Sequence, residues 1–88
     1  MSRLTALRRQ IDRLDSQILQ LLNRRAGVAV QVGRLKRRDG RPVYDGEREA
    51  AILRRVARLN RGPLPSASVT RIFRGILQVS RRLEAGGR

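Results

Sequence analysis

A single apolar seam runs through the first 35 residues and constrains the fold more than any other feature. Its positions recur at alternating spacings of three and four residues, the period of an amphipathic helix. They are Leu4, Leu7, Ile11, Leu14, Ile18, Leu21, Arg25, Val28, Val32 and Leu35. The seam is roughly 46 Å long at 1.5 Å per residue, whereas a compact chain of 88 residues is only about 30 Å across. We therefore expect a partner along the seam, most simply a second copy of the chain.

The long helix has clear start and stop signals. Ser2 is the expected N-cap, because its hydroxyl can accept a bond from a free N–H of the first turn. The helix should end near Arg37 or Arg38, since Asp39-Gly40 favours a left-handed turn and Pro42 cannot continue a helix.

Two shorter helices are predicted after this turn. Asp45 is the expected N-cap of the second helix, which should run to about Asn60, and Arg61–Pro65 should form a break. Ser66 or Ser68 is expected to cap the third helix. The predicted inner faces contain Ile52, Leu53, Val56 and Leu59 in the second helix, and Val69, Ile72, Phe73, Ile76, Leu77 and Leu83 in the third. The predicted fold class is all-α, with one long and two shorter helices in a single domain over residues 1–88.

The composition narrows the chemistry available to the chain. There is no Cys and no His, so thiolate nucleophiles, imidazole bases and the usual zinc ligands are missing. We expect no cofactor and no metal site. No apolar run approaches the roughly 20 residues of a membrane span, and the N-terminus lacks a signal-peptide core. A cytoplasmic protein with no membrane partner is therefore expected.

The basic residues raise the hypothesis of a nucleic-acid partner. The formal net charge is +14, but the basic side chains are scattered over predicted outer faces, and only two aromatic residues, Tyr44 and Phe73, could stack on bases. These two features argue against a nucleic-acid partner. Of the 21 basic residues 20 are arginine, and the single lysine is Lys36. A lone lysine can mark a position that requires a compact ammonium group, although chance also explains it.

Two cations lie close to one face of the long helix. Arg25 occupies a seam position with no acid one turn away, so it either pairs with another helix or binds an anion in a polar cavity. Lys36 lies three turns further on and only about 20° around the helix. The small residues Ala29 and Val32 lie between them. The two cations, with small residues between them, predict a hollow that binds an anion.

Other polar side chains on the two shorter helices could complete such a hollow. A helical row on the third helix begins with Phe73 and Leu77 and ends with Ser80 and Glu84. From the sequence alone, Glu84 could equally be an exposed acid on the protein surface or part of the hollow. The start of the second helix contributes Asp45, Arg48 and Glu49 near free N–H groups.

Arg8 is too far from Arg25 to share a pocket with it in one protomer. The two are 17 residues apart on one helix, hence roughly 25 Å along the axis. If two long helices run antiparallel in a dimer, Arg8 can reach the hollow of the partner, which gives two equivalent sites.

Taken together, these residues resemble the all-helical class of chorismate mutases over essentially the whole chain. The matching segments are residues 7–15 (LRRQIDRLD), 21–25 (LLNRR), 32–36 (VGRLK) and 41–49 (RPVYDGERE), followed by Ile72-Phe73, Ser80 and Glu84. The resemblance implies an intertwined homodimer of three-helix protomers. It also implies the Claisen rearrangement of chorismate to prephenate, in the pathway to phenylalanine and tyrosine.

The resemblance also implies a role for each site residue. Arg25, and Arg8 from the partner chain, would bind the two carboxylates of chorismate, with help from Ser80. Lys36 and Glu84 would donate to the ether oxygen of the breaking bond. Glu49 would accept from the ring hydroxyl, with backbone groups around Asp45 and Arg48 completing that contact.

The rearrangement requires neither a nucleophile nor a metal, so these residues suffice for its chemistry. A pericyclic reaction requires a flexible dianion to be held in a reactive shape and the developing charge to be stabilised. Bidentate arginines serve the first task and a lysine serves the second. Glu84 would have to act protonated, because a carboxylate repels the negative charge that develops on the ether oxygen.

Three other functions remain open at this stage. One is an isochorismate-pyruvate lyase, which resembles the mutases and uses a similar dianion pocket. Another is a regulatory domain associated with the first enzyme of the shikimate pathway, to which mutase modules can be fused. The third is a basic helical nucleic-acid-binding protein.

Overall fold

The computed structural model describes residues 2–87 and forms three α-helices over that range, with no strand. Helix α1 spans Arg3–Arg38, α2 spans Gly46–Leu59 and α3 spans Ser66–Glu84. The predicted fold class, all-α with one long and two shorter helices, is confirmed. The predicted domain of residues 1–88 begins and ends with Met1 and Arg88, which lie outside the described residues.

Local signals set both ends of α1 as predicted. The Ser2 hydroxyl accepts a hydrogen bond from the Thr5 N–H at 3.1 Å. At the other end Asp39 is the C-cap, and Gly40 adopts a φ of +67°, a left-handed conformation that glycine takes without steric strain. Between these two ends α1 runs for 36 residues without an internal proline.

The cap of α2 was predicted correctly and that of α3 was not. Asp45 Oδ1 accepts from the Arg48 N–H at 3.0 Å, as an N-cap should. In α3 the N-cap residue is Pro65, and no side chain caps the helix. The Pro65 carbonyl accepts instead from the N–H groups of Ser68 and Val69, at 3.0 and 3.1 Å. Because the extended Pro65 already turns the chain into the helix, the serines lie inside the first turn.

Helix α3 holds the protomer together. It packs against both α1 and α2, whereas no Cα atom of α1 lies within 8 Å of one in α2, and a cleft separates these two helices. The buried residues of this small core are Ala29, Gly33, Val69, Leu77 and Ser80. Leu59 and Ile72 were predicted on the inner faces of α2 and α3, but they are 60% and 52% exposed in the protomer.

The apolar seam of α1 is uncovered in the protomer. Its nine aliphatic side chains are all at least 37% exposed, and the molecule measures 57 Å along its longest axis. A helix of this length cannot bury its seam against two shorter helices, as the sequence predicted. No helix within residues 2–87 combines the length and the hydropathy required to cross a membrane.

Candidate active site

A cleft of about 520 Å³ opens between α1, the α1–α2 loop, the start of α2 and the end of α3. Its volume falls within the roughly 300–1,000 Å³ typical of small-molecule sites. Its charged lining residues are Arg25, Lys36, Asp39, Arg41, Asp45, Arg48, Glu49 and Glu84, and its neutral ones include Val28, Ala29, Val32, Leu35, Val43, Ile52, Leu77 and Ser80. All but one of the predicted site residues therefore lie around one cleft.

Lys36 and Glu84 meet at one end of this cleft. Lys36 Nζ lies 2.6 Å from Glu84 Oε1 and donates a second hydrogen bond to the Val43 carbonyl at 2.8 Å. The two charged side chains are only 17% and 14% exposed, so water screens their attraction little. An ammonium group has three donors, and these two contacts leave the third available to a ligand.

Arg25 meets Ser80 in the middle of the cleft. Arg25 Nη1 donates to Ser80 Oγ at 2.5 Å, and Ser80 in turn donates to the Ile76 carbonyl at 2.9 Å. Arg25 makes no ion pair with any of residues 2–87. The alternative that it serves a structural ion pair with another helix is therefore wrong for the protomer.

The start of α2 supplies the third part of the lining. Asp45 is occupied in capping the helix, as described above. Glu49 is half-buried, and its Oε2 lies 3.2 Å from Arg81 Nε on α3. The Arg48 side chain lines the cleft without an ion pair among the described residues.

Four acidic and four basic side chains line the cleft, so their formal charges sum to zero. The acids, however, already have partners, whereas most of the bases do not. Each acid already has a partner: Asp39 pairs with Arg38, Asp45 caps α2, and Glu49 and Glu84 form the ion pairs given above. The guanidinium groups of Arg25, Arg41 and Arg48 make no ion pair within residues 2–87. The cleft therefore presents uncompensated positive charge to an anionic ligand. No cluster of three or more potential metal ligands occurs among the described residues.

Arg8 is the predicted site residue that the protomer does not bring to the cleft. It lies exposed in the first third of α1 and is absent from the cleft lining. At 1.5 Å per residue it is about 25 Å from Arg25 along the axis. Its predicted role thus depends entirely on a second copy.

Gly33 allows the end of α3 to lie directly on α1. A Cβ atom at this position would overlap the Glu84 carbonyl oxygen and lie 2.5 Å from the Glu84 Cα. Arg37, one turn further along α1, donates from Nη1 to the same carbonyl oxygen. This close approach fixes the backbone from which the Glu84 side chain reaches Lys36.

Replacing Gly33 with alanine is expected to destabilise the protein by about 1–3 kcal/mol, because the α3 backbone must move to admit the methyl group. Glycine-to-alanine changes inside helices normally stabilise by about 0.5–1 kcal/mol, so the expected sign is reversed. Thermal unfolding of the variant measures the effect. Gly27→Ala on the same helix is the control, because no atom lies within 4 Å of a Cβ built there. A Gly33→Ala variant as stable as Gly27→Ala would contradict the close packing.

Comparison with known proteins identifies the family. The model of chorismate mutase type II matches residues 7–85. The chain belongs to this chorismate mutase family. The bifunctional chorismate mutase/prephenate dehydratase of Neisseria gonorrhoeae is 50% identical over 70 residues, which cover 80% of this chain and 19% of that protein. The corresponding protein of Aquifex aeolicus is 38% identical over 88 residues, 96% of this chain and 24% of that protein. The chain thus spans about a fifth to a quarter of the length of these curated relatives.

Solved chorismate mutase structures match the fold over nearly their whole length. The chorismate mutase of Thermus thermophilus (Form II) has a TM-score of 0.93 at 36% identity, with 94% of each chain covered. Form I of the same protein has a TM-score of 0.88 at 35% identity, covering 90% of this chain and 99% of that one. The family resemblance predicted from the sequence is confirmed.

Several residues in or behind the cleft of this family member were not singled out from the sequence. Arg41 lines the cleft, and the Val43 carbonyl accepts from Lys36. A backbone carbonyl leaves no trace in a pattern of side chains. Arg81 was not distinguishable among 20 arginines, since only its contact with Glu49 sets it apart. Gly33 was not singled out either, although its missing side chain is what the packing against Glu84 requires.

Proposed function

We propose that the cleft binds chorismate and catalyses its rearrangement to prephenate. In this reaction one C–O ether bond breaks while one C–C bond forms, with no covalent intermediate on the protein. The observation that carries the proposal is the convergence of the Lys36–Glu84 pair and the unpaired Arg25 guanidinium on a single cleft. Such a cleft can hold a dianion in a compact shape and stabilise the charge that develops on its ether oxygen.

The two carboxylates of the substrate are assigned to arginines. Arg25 receives one of them, because its guanidinium makes no ion pair and its only hydrogen bond among the described residues goes to Ser80. Ser80 accepts from Arg25 and so holds it in place; its one O–H donates to the Ile76 carbonyl and would have to leave that acceptor to reach the same carboxylate. Arg8 of a second copy receives the other carboxylate. Two guanidinium groups on a dianion fix its position as well as its charge.

The ether oxygen is assigned to Lys36 and Glu84. These groups lie 2.6 Å apart, so one oxygen atom can contact both when the pair opens. Lys36 donates its third N–H and stabilises the negative charge as the C–O bond lengthens. Glu84 accepts from Lys36 in the free cleft, and it can donate to the ether oxygen only as the neutral acid. The ring hydroxyl is assigned to Glu49 as acceptor, with backbone groups around Asp45 and Arg48 as further contacts.

A homodimer completes each site in this proposal. The exposed apolar seam of α1 offers the surface, since contiguous apolar area of this kind marks an interface. Two antiparallel copies of α1 bring Arg8 of one protomer toward the Arg25–Lys36 end of the other, about 25 Å from its own. A cytoplasmic location, expected from the hydropathy of the sequence, stays a prediction, and so does the association with the first enzyme of the shikimate pathway that the resemblance allows.

The direct test is to incubate the purified protein with chorismate and to measure both the loss of chorismate and the formation of prephenate. We expect multiple turnovers without added metal or cofactor. The same preparation given isochorismate tests the lyase alternative through release of pyruvate. Absence of prephenate, or faster pyruvate release from isochorismate, would overturn the proposed function.

The proposed role of Glu84 predicts the effect of replacing its carboxylate with an amide. Glu84→Gln keeps the length of the side chain, supplies an N–H donor to the ether oxygen and removes a negative charge that would repel it. It should therefore turn over chorismate at least as fast as the wild type, whereas Glu84→Ala, which has no donor, should be slower. Steady-state kcat/KM of the two variants checks this. A Glu84→Ala variant as active as Glu84→Gln would remove Glu84 from the mechanism.

A further inference from the structure

Glu49 lies on the wall between the active cleft and a second, outer cleft. The outer cleft has a volume of about 540 Å³ and lies between α2, α3 and Tyr44. Glu49 lines both cavities, and so does Leu77. One face of Glu49 is therefore available to a ligand in the active cleft, while the other faces Arg81.

Arg81 holds the outer face of the Glu49 carboxylate. Its Nε lies 3.2 Å from Glu49 Oε2, and Glu49 Oε1 has no hydrogen-bond partner among the described residues. The Arg81 Nε atom is itself buried and makes no well-aligned hydrogen bond within residues 2–87. Attraction between opposite charges 3.2 Å apart, rather than an aligned hydrogen bond, therefore holds Arg81 beside the Glu49 carboxylate.

Tyr44 in turn holds Arg81. The Arg81 guanidinium carbon lies 5.6 Å from the centre of the Tyr44 ring, within cation–π range. The ring is seated against Gly46 at the start of α2, since a Cβ there would lie 2.9 Å from the Tyr44 hydroxyl. A chain of contacts from the loop through α3 therefore ends on Glu49.

We infer that Arg81 is a positioning residue that sets the Glu49 carboxylate for the ring hydroxyl of the substrate. It engages Oε2 and leaves Oε1 to accept from the hydroxyl. It also places a positive charge beside Glu49, which reduces the repulsion between this carboxylate and a dianionic substrate. This inference rests on the proposed function, and it adds a residue outside the active cleft that acts through one inside it.

A double-mutant cycle between Arg81 and Glu49 tests the inference. Arg81→Gln should lower kcat/KM about tenfold, as the loss of an outer partner of a site residue commonly does. In the Glu49→Gln background the same change should have no further effect, because Arg81 then has no carboxylate to position. Arg81→Lys keeps the charge and should recover part of the loss. Arg74→Gln is the control, since Arg74 is exposed on α3 and has no polar partner among the described residues.

A Tyr44 pair gives a second measurement if Arg81→Gln does not fold. Tyr44 is 62% exposed, so its replacement should leave the fold intact. Tyr44→Leu removes the ring and should lower kcat/KM about threefold, whereas Tyr44→Phe keeps the ring and should match the wild type. As for Arg81, the Tyr44→Leu effect should vanish in the Glu49→Gln background.

The outcomes separate the inference from the proposed function. If the wild type turns over chorismate but Arg81→Gln matches it, the positioning role is wrong. An Arg81→Gln loss of the same size with and without the Glu49 carboxylate would equally overturn it. If the wild type does not turn over chorismate, the proposed function fails and the inference fails with it.

Discussion

Replacing Lys36 with methionine is expected to lower kcat by about 10²- to 10³-fold, the usual loss when a donor to a developing oxyanion is removed. Methionine has nearly the length and the apolar stem of lysine but no charge. The loss should appear in kcat more than in KM, because the C–O bond polarises only as the transition state forms. Steady-state kinetics with chorismate measure both constants.

Two controls show whether the effect belongs to the ammonium group. Lys36→Arg keeps the charge but replaces a compact donor with a planar fork, and it should recover little activity. Lys36→Met also leaves Glu84 without its partner, so the double variant Lys36→Met/Glu84→Gln separates that effect from the loss of the donor. A folded Lys36→Met variant within fivefold of the wild type in kcat would contradict the assignment.

Replacing Arg8 with alanine is expected to raise KM for chorismate about 10- to 100-fold, as the loss of a charge-assisted bond to one substrate carboxylate implies. The expectation is unusual because Arg8 lies outside the cleft of its own protomer, about 25 Å from Arg25. The Arg8 side chain makes no ion pair with any of residues 2–87 that could transmit such an effect. Only the cleft of a second copy can account for it.

Arg9→Ala is the matched control for this change. Arg9 is the next residue on the same exposed turn of α1, it carries the same charge, and it points about 100° further around the helix. It should leave KM within about twofold of the wild type, a change comparable to that of a solvated surface residue. Equal effects of the two variants would indicate a general influence of charge and would contradict a specific role for Arg8.

The helices could be predicted because their signals are local. The seam of α1, the Ser2 and Asp45 caps and the turn at Gly40 each depend on residues a few positions apart, and all four are observed. The Pro65 cap of α3 was missed because N-caps are predicted from side chains that can accept a hydrogen bond. The neighbouring serines have such side chains, whereas a backbone carbonyl leaves no signal in the sequence. The position of the break was nevertheless correct.

The cleft could be predicted in part, and the limit is physical. Arg25 and Lys36 stood out because they are polar residues close to an apolar seam, and both line the cleft. Contacts between helices are a different matter, since they depend on packing that no single helix encodes. The close approach at Gly33 and the Glu49–Arg81 pair are of this kind. Family resemblance assigned roles to side chains in the cleft but not to those behind it.

The measurement that tests the shared active site most directly is complementation between two variants that are both impaired when chorismate is kept well below the wild-type KM. Arg8→Ala and Lys36→Met are purified separately, mixed in equal amounts and allowed to exchange subunits. In a mixed dimer one site combines Lys36 of the first chain with Arg8 of the second and is intact, so random exchange should restore about a quarter of the wild-type activity. If activity stays at the level of the separate variants after subunit exchange has been demonstrated, each site is confined to one chain, and the proposed dimeric site is wrong.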